Sequence, residues 1–335
     1  MAGTAVQAPT AVPSVLPSDA PDASPLTYQW SIPISKWSPL CHPRASEVSD
    51  QVNAWFLEHW PFPNVKAEVK FLKAGFSLVT SMYFPLAKDD RLHHACKLLT
   101  ILFLVDDLLE DMSLSTGESY NARLIAIALK KVKYDPSLPV ERMWYSIWED
   151  MAAHDMELAE GVKEPTFEFM KAQTDRTRMD ITQLGQYLQY REKDVGQALL
   201  AALMRFSMNL HVTPEELASV KHIEQNCSCH ISVVNDIYSY GKELRKSIES
   251  PEEGAVLCSA VKVVADETRM GISAAKRVLW SMTREWELVH DELYKVRVSD
   301  PQGCSQALQA YLKGLEYQMS GNELWSKTTP RYSEV

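Results

Sequence analysis

Four acids crowd into six residues at Asp106-Asp107-Leu108-Leu109-Glu110-Asp111, directly after an apolar stretch. Asp106 and Glu110 are four apart, so on a helix they share one face. Acids at a helix C-terminus oppose the macrodipole, which favours cations there. Such a string is locally unfavourable unless a cation or water compensates, and local rule-breaking points to a functional site. Read alone, it is as readily a solvated acidic cap as a metal site.

A second string weighs against the solvated cap. In Val233-Val234-Asn235-Asp236-Ile237-Tyr238-Ser239-Tyr240-Gly241-Lys242-Glu243, the residues Asn235, Ser239 and Glu243 fall at i, i+4 and i+8. On a helix they form one line of oxygen atoms over two turns. An amide oxygen, a hydroxyl and a carboxylate are hard ligands suited to Mg²⁺. Ile231, Val233, Val234 and Ile237 flank them, so this is more than an ordinary polar stripe.

Two such strings suggest facing helices with metal between them. Carboxylates cannot hold an anion directly: like charges 4 Å apart repel by about 4 kcal/mol at an effective dielectric of ~20. Bridging Mg²⁺ reverses the sign and supplies Lewis acidity to a departing diphosphate. Phe103 and Leu99 lie three and seven residues before Asp106, hence on its face and deeper. Metal at the mouth therefore implies an apolar wall below.

The elements that position these strings are helices. Glycine totals 12 in 335 residues and strand-like alternation is scarce. The pattern predicts helices over 46–60, 64–82, 89–111, 119–132, 140–160, 164–189, 194–210, 214–247, 254–267, 271–297 and 303–320. Thr213-Pro214-Glu215-Glu216 reads as a helix start. Asp135-Pro136 and Glu164-Pro165 read as breaks. The stretches 98–105 and 198–204 are apolar on most faces and belong inside a bundle. The expected fold is all-α, a single-domain helical bundle with a central cavity over 37–335. Residues 1–36, rich in Pro, Ala and Ser, read as a disordered arm.

Composition narrows the function. A formal net charge of −10 and a pI near 5.4 do not attract nucleic acid or anionic lipid. No run of 18 apolar residues suggests a membrane span. No secretory signal is expected, and six scattered cysteines read as reduced thiols of a cytoplasmic protein. Cys227-Ser-Cys229-His230 has no second pair, so it reads as buried helix residues rather than a zinc site. No nucleophile elbow, phosphate-cradling glycine loop or HExxH string is present.

The two oxygen-rich strings resemble the aspartate-rich motif and the (N/D)Dxx(S/T)xxxE motif of class I terpene cyclases. Chain-elongating prenyl synthases carry a second aspartate-rich motif in place of the latter. The stretches Leu40-Cys41-His42-Pro43-Arg44, Ser81-Met82-Tyr83-Phe84-Pro85-Leu86, Gln173-Thr174-Asp175-Arg176, Tyr190-Arg191-Glu192-Lys193-Asp194 and Trp325-Ser326-Lys327-Thr328-Thr329-Pro330-Arg331-Tyr332 are similar to fungal sesquiterpene cyclases of that family. The resemblance spans about 37–332.

It implies farnesyl diphosphate as substrate and a bicyclic hydrocarbon product, formed through germacrene A and a eudesmane cation. It implies three Mg²⁺ ions: Asp106 on two of them, Asn235, Ser239 and Glu243 on the third, and Glu110 as a weaker ligand. Asp107 and Asp111 are expected to support or to face solvent. Arg191, Lys242, Arg331 and Tyr332 match the diphosphate donors, with Arg176 and Arg178 as lesser competitors for the role of Arg191. Tyr83, Phe103, Phe169 and Trp325 match the cation-facing aromatics, and Tyr83 or released diphosphate would serve as proton donor. The residues alone leave open a prenyl-chain elongase, a non-catalytic helical scaffold, and homo-oligomerisation.

Overall fold

A computed structural model of the chain describes residues 30–301 and 303–333. Pro33–Val335 forms one compact unit. The expected arm lies, over residues 1–29, outside the described residues. Among the described residues there is no strand, and the helices are α1 (Ala45–His59), α2 (Val65–Ala74), α3 (Phe76–Tyr83), α4 (Leu92–Leu109), α5 (Leu114–Ala128), α6 (Pro139–His154), α7 (Met156–Ala172), α8 (Leu184–Asp194), α9 (Gln197–Met208), α10 (Pro214–Ser219), α11 (Lys221–Glu249), α12 (Ala260–Thr268), α13 (Ile272–Val298) and α14 (Gln306–Thr328). None of them is long and apolar enough to cross a membrane.

Local chemistry explains most boundaries. Asn64 caps α2 by accepting from the Ala67 N–H, and Ser113 caps α5 by accepting from the Thr116 N–H. Thr213 and Glu216 form a reciprocal capping box at α10, the start expected from the sequence. The expected helix 64–82 is two helices, because Gly75 sits at φ 68° and turns the chain between α2 and α3.

Other expectations change too, and the expected helix 214–247 is two helices, α10 and α11. Pro165 does not break a helix; it lies inside α7. Val162, Thr166, Phe167 and Met170 are buried on both sides of it, and that packing carries the helix through the missing hydrogen bond. The break falls instead at Asp155, whose carboxylate caps α7 by accepting from the Leu158 N–H. The expected helix 164–189 stops at Ala172, and a 3₁₀ turn over Arg176–Met179, capped by Asp175, leads to α8. Finally, α14 runs on to Thr328, past the Ser320-Gly321 pair. A Cβ at Gly321 would lie 2.7 Å from the Met82 carbonyl oxygen, so glycine here allows α14 to cross close to α3.

The most apolar helix is central. Along α4, Leu98, Leu99, Ile101, Leu102, Leu104 and Val105 are all buried, each contributing about 1.5–3 kcal/mol relative to exposure. α4 packs against α1, α3, α6 and α9, while α11 packs against α8, α9, α13 and α14. The core is continuous around one cavity, lined by side chains from α3, α4, α7, α8, α9, α11 and α14.

Candidate active site

The acids of α4 stand where that helix ends. Asp106 is on its last turn, and Glu110 follows Leu109 as the C-cap residue. The turn beyond is braced by the 253–258 segment. The Gly254 N–H donates to the Met112 carbonyl oxygen at 3.0 Å, and Glu253 accepts from the Leu114 N–H at 3.1 Å. A Cβ on Gly254 would meet the Leu109 carbonyl oxygen at 2.1 Å, so only glycine lets the segment approach.

Carboxylate oxygens of Asp106, Asp107 and Glu110 lie within 4.8 Å of one another. Burial, reinforced by the neighbouring carboxylates of Glu110 and Asp107, pushes the Asp106 carboxyl up to about 6. Gln173, just past α7, donates to Asp106 at 2.8 Å, and its own Oε1 is buried without a partner. Asp107 differs. Burial works to raise its carboxyl, but a two-pronged contact from Arg331 at 2.9 and 2.7 Å holds it below the usual carboxylate range.

α11 delivers the second set to the same cavity. Lys242 donates to Glu110 at 2.8 Å and to Asp107 at 3.4 Å, so α11 reaches directly across to α4. Asn235 Oδ1 accepts from Arg191 at 3.0 Å, and Asn235 Nδ2 donates to the Tyr332 hydroxyl at 2.9 Å. Arg191 also pairs with Asp194 and with Asp236. Glu243 lines the cavity. The Ser239 hydroxyl is buried with no hydrogen-bond partner, a costly state for a polar atom unless a further ligand meets it. An orphaned hydroxyl in line with an amide and a carboxylate, opposite three clustered carboxylates, fits a hard divalent cation.

Below the mouth the wall turns aromatic. Phe103 stacks on Phe76 at 4.6 Å between ring centres and leans on Trp325 at 5.9 Å. Trp325 is anchored by its N–H to the Ala74 carbonyl oxygen at 3.0 Å and meets Tyr332 edge-on at 5.4 Å. Phe169 packs against Gly196, where a Cβ would come within 3.1 Å of its ring. Tyr83 donates to Asn322 at 3.0 Å, and burial pushes its hydroxyl well above the ordinary phenol range.

Twelve of the thirteen site residues expected from the sequence meet this way. Tyr83, Phe103, Asp106, Glu110, Phe169, Arg191, Asn235, Lys242, Glu243, Trp325, Arg331 and Tyr332 line one cavity, and Ser239 lies buried on α11 beside them. Of the competitors, Arg178 lines the cavity but donates to the carbonyl oxygens of Gln173 and Val256, and Arg176 pairs outside it with Glu253. Asp111 is exposed and paired with Lys246. The residues missed are Gln173, Asp194 and Asn322. Gln173 and Asp194 stand in stretches already singled out, but nothing in their spacing showed their partners. In the cysteine-histidine string Cys227 is buried on α11, and His230 meets Glu287 of α13; ligand atoms of His230, Glu287 and Glu323 lie within 4.8 Å of one another, with neither cysteine of the string among them.

Comparison with known proteins agrees with this geometry. Residues 97–287 match the family model described as terpene synthase family 2, C-terminal metal binding. The chain is 60% identical over 301 residues to an aristolochene synthase of Penicillium roqueforti, covering 90% of this chain and 88% of that one. It is 57% identical over 303 residues to an aristolochene synthase of Aspergillus terreus, covering 90% and 94%. The crystal structure of the Penicillium roqueforti aristolochene synthase superposes with a TM-score of 0.80 at 60% identity, covering 89% of this chain and 100% of that one. A hedycaryol synthase at 17% identity shares the fold, with a TM-score of 0.71 over 88% of this chain and 100% of that one.

Proposed function

Because the chain belongs to the terpene synthase family, we propose that it is a Mg²⁺-dependent sesquiterpene cyclase, converting (2E,6E)-farnesyl diphosphate to the bicyclic hydrocarbon aristolochene and diphosphate. The observation that carries this reading is one cavity with hard oxygen donors at its mouth and aromatic rings beneath. Three Mg²⁺ ions, held by Asp106 with Glu110 and by Asn235, Ser239 and Glu243, would neutralise the diphosphate and assist its departure as a Lewis acid.

The chain does the rest by binding, shape and fixed charge. Arg191 and Arg331 offer planar forks to phosphate oxygens, Lys242 a point charge, and Tyr332 a hydroxyl. To reach a diphosphate, Arg331 and Lys242 leave Asp107 and Glu110, so binding rearranges the mouth. Phe103, Phe169, Trp325 and Tyr83 face the cation, each ring worth about 1–2 kcal/mol in a dry site. The apolar walls from Leu99, Leu102, Leu199 and Leu200 exclude the water that would quench it. Ring closure gives a germacryl cation, and its deprotonation gives germacrene A; reprotonation closes the second ring to a eudesmane cation, and a hydride shift and a methyl shift precede the final proton loss. Six free cysteines suit a cytoplasmic setting.

Incubation with farnesyl diphosphate and Mg²⁺, followed by gas chromatography and mass spectrometry, tests the reading. The expected result is aristolochene, lost on chelation. Longer prenyl diphosphates after adding isopentenyl diphosphate would make the chain an elongase, and no turnover would leave a scaffold.

A further inference from the structure

Deep in the cavity, three polar groups from three helices join in one line. Tyr83 of α3, Asn322 of α14 and Ile231 of α11 all line the cavity wall. The Tyr83 hydroxyl donates to Asn322 Oδ1 at 3.0 Å, and Asn322 Nδ2 donates to the Ile231 carbonyl oxygen at 3.2 Å. The direction of this relay is forced. A backbone carbonyl can only accept, so the amide nitrogen of Asn322 must face Ile231. Its oxygen then faces Tyr83 and can only accept, so the phenol must donate.

The relay is well shielded, with Asn322 1% and Tyr83 6% exposed, so water does not compete for it. Tyr83 thus commits its proton to the protein wall. What remains for the cavity is its ring and an oxygen whose lone pairs carry negative potential. Ile231 stands one helical turn before Asn235, so the same relay joins the cavity wall to the turn that presents an expected metal ligand.

We infer that Asn322 is a positioning residue that sets product specificity by fixing the orientation of Tyr83 against the reacting hydrocarbon. It acts through Tyr83 and not by contact with the diphosphate. Freed of Asn322, the phenol can turn about its side-chain bonds and the cavity loses one defined surface. A neutral monocyclic intermediate then escapes more often before the second ring closes. This rests on the proposed cyclase reading and names a determinant within it.

The test is a double-mutant cycle on the full chain with farnesyl diphosphate and Mg²⁺. Asn322→Leu, Tyr83→Phe and the pair are compared by the ratio of monocyclic to bicyclic product, with thermal melting as the control for folding. Asn322→Leu is expected to raise the ratio about fivefold, the scale of one ordinary hydrogen bond. KM stays within about twofold, because the relay lies away from the mouth. Tyr83→Phe raises the ratio comparably, and the double variant goes no further than either single one. Asn322→Ser, smaller and still polar, replaces Asn322→Leu if that chain does not fold, with the same expectation. An unchanged ratio in the Asn322 variant, or effects that multiply in the pair, overturns the inference. A wild-type chain that yields no hydrocarbon overturns the cyclase reading and this inference with it, a distinguishable result.

Discussion

The mouth and the floor of the cavity are held by opposite physics. At the mouth, charge is concentrated and paired: Asp107 with Arg331, Glu110 with Lys242, Arg191 with Asp194 and Asp236. Beside these pairs stand atoms at odds with their surroundings, namely the partnerless hydroxyl of Ser239 and the raised carboxyl of Asp106. At the floor the reverse holds. Phe103, Phe76, Trp325 and Tyr332 contact one another ring to ring, and the Trp325 and Tyr83 polar tips have partners inside the protein. The floor's tyrosine and tryptophan tips are satisfied within the protein, whereas the mouth keeps buried polar atoms that the chain itself does not satisfy.

The contrast can be broken most severely at the metal-facing edge of α11. Asn235→Leu with Ser239→Ala should abolish Mg²⁺-dependent turnover while leaving the helical circular dichroism intact; retained activity would refute the metal role. Next in size is Arg331→Ala, which strips the two-pronged contact from Asp107 and removes a phosphate donor. A loss of about a hundredfold in kcat/KM is expected, the scale for breaking a buried charge pair. Arg331→Lys should recover only part of it, since Lys lacks the planar fork; equal recovery would remove the argument from geometry.

A floor residue should behave differently. Phe103→Ala should leave Mg²⁺ dependence in place, lower the melting temperature, and raise early products such as germacrene A several-fold. An unchanged product profile would strip Phe103 of a cation-facing role. The smallest effect sharpens the contrast through stability. The folded-state value of Asp106 lies above its ordinary one, near 6, so its favourable contribution belongs to the protonated form and is lost as pH rises through that value. Metal-free Asp106→Asn should therefore melt a few degrees above wild type at pH 7 to 8. The gap should close as pH falls below about 6, and a gap independent of pH would contradict the assignment.

How much of this was legible in the sequence follows the same division. Asp106 with Glu110, and Asn235 with Ser239 and Glu243, are readable because helical periodicity places residues four apart on one face. Phe103 and Leu99 are readable from Asp106 for the same reason. The latch between Arg331 and Asp107 is not, because it joins positions 224 residues apart and no local rule connects them. Tyr83, Phe169, Trp325, Arg331 and Tyr332 came from family resemblance alone. Pro165 misled because local propensity for a break lost to buried side chains on either side. The expected end at 320 fell short in the opposite sense: α14 runs on to Thr328, and Gly321 marks a close crossing of α3.

The ion pairs across the mouth have one more consequence. Lys242 and Arg331, proposed for the diphosphate, are held by Glu110 and Asp107 of the acidic string. A metal arriving alone must pull a carboxylate from its lysine or arginine and strand that positive charge. A diphosphate arriving alone strands the carboxylates instead. When both arrive, every stranded charge finds a new counterpart. On the proposed reading, the mouth would answer to the two ligands together, and by thermodynamic reciprocity each would tighten the other by the same factor. On the proposed reading, such a threshold would reserve the start of the reaction for the combination of metal and diphosphate.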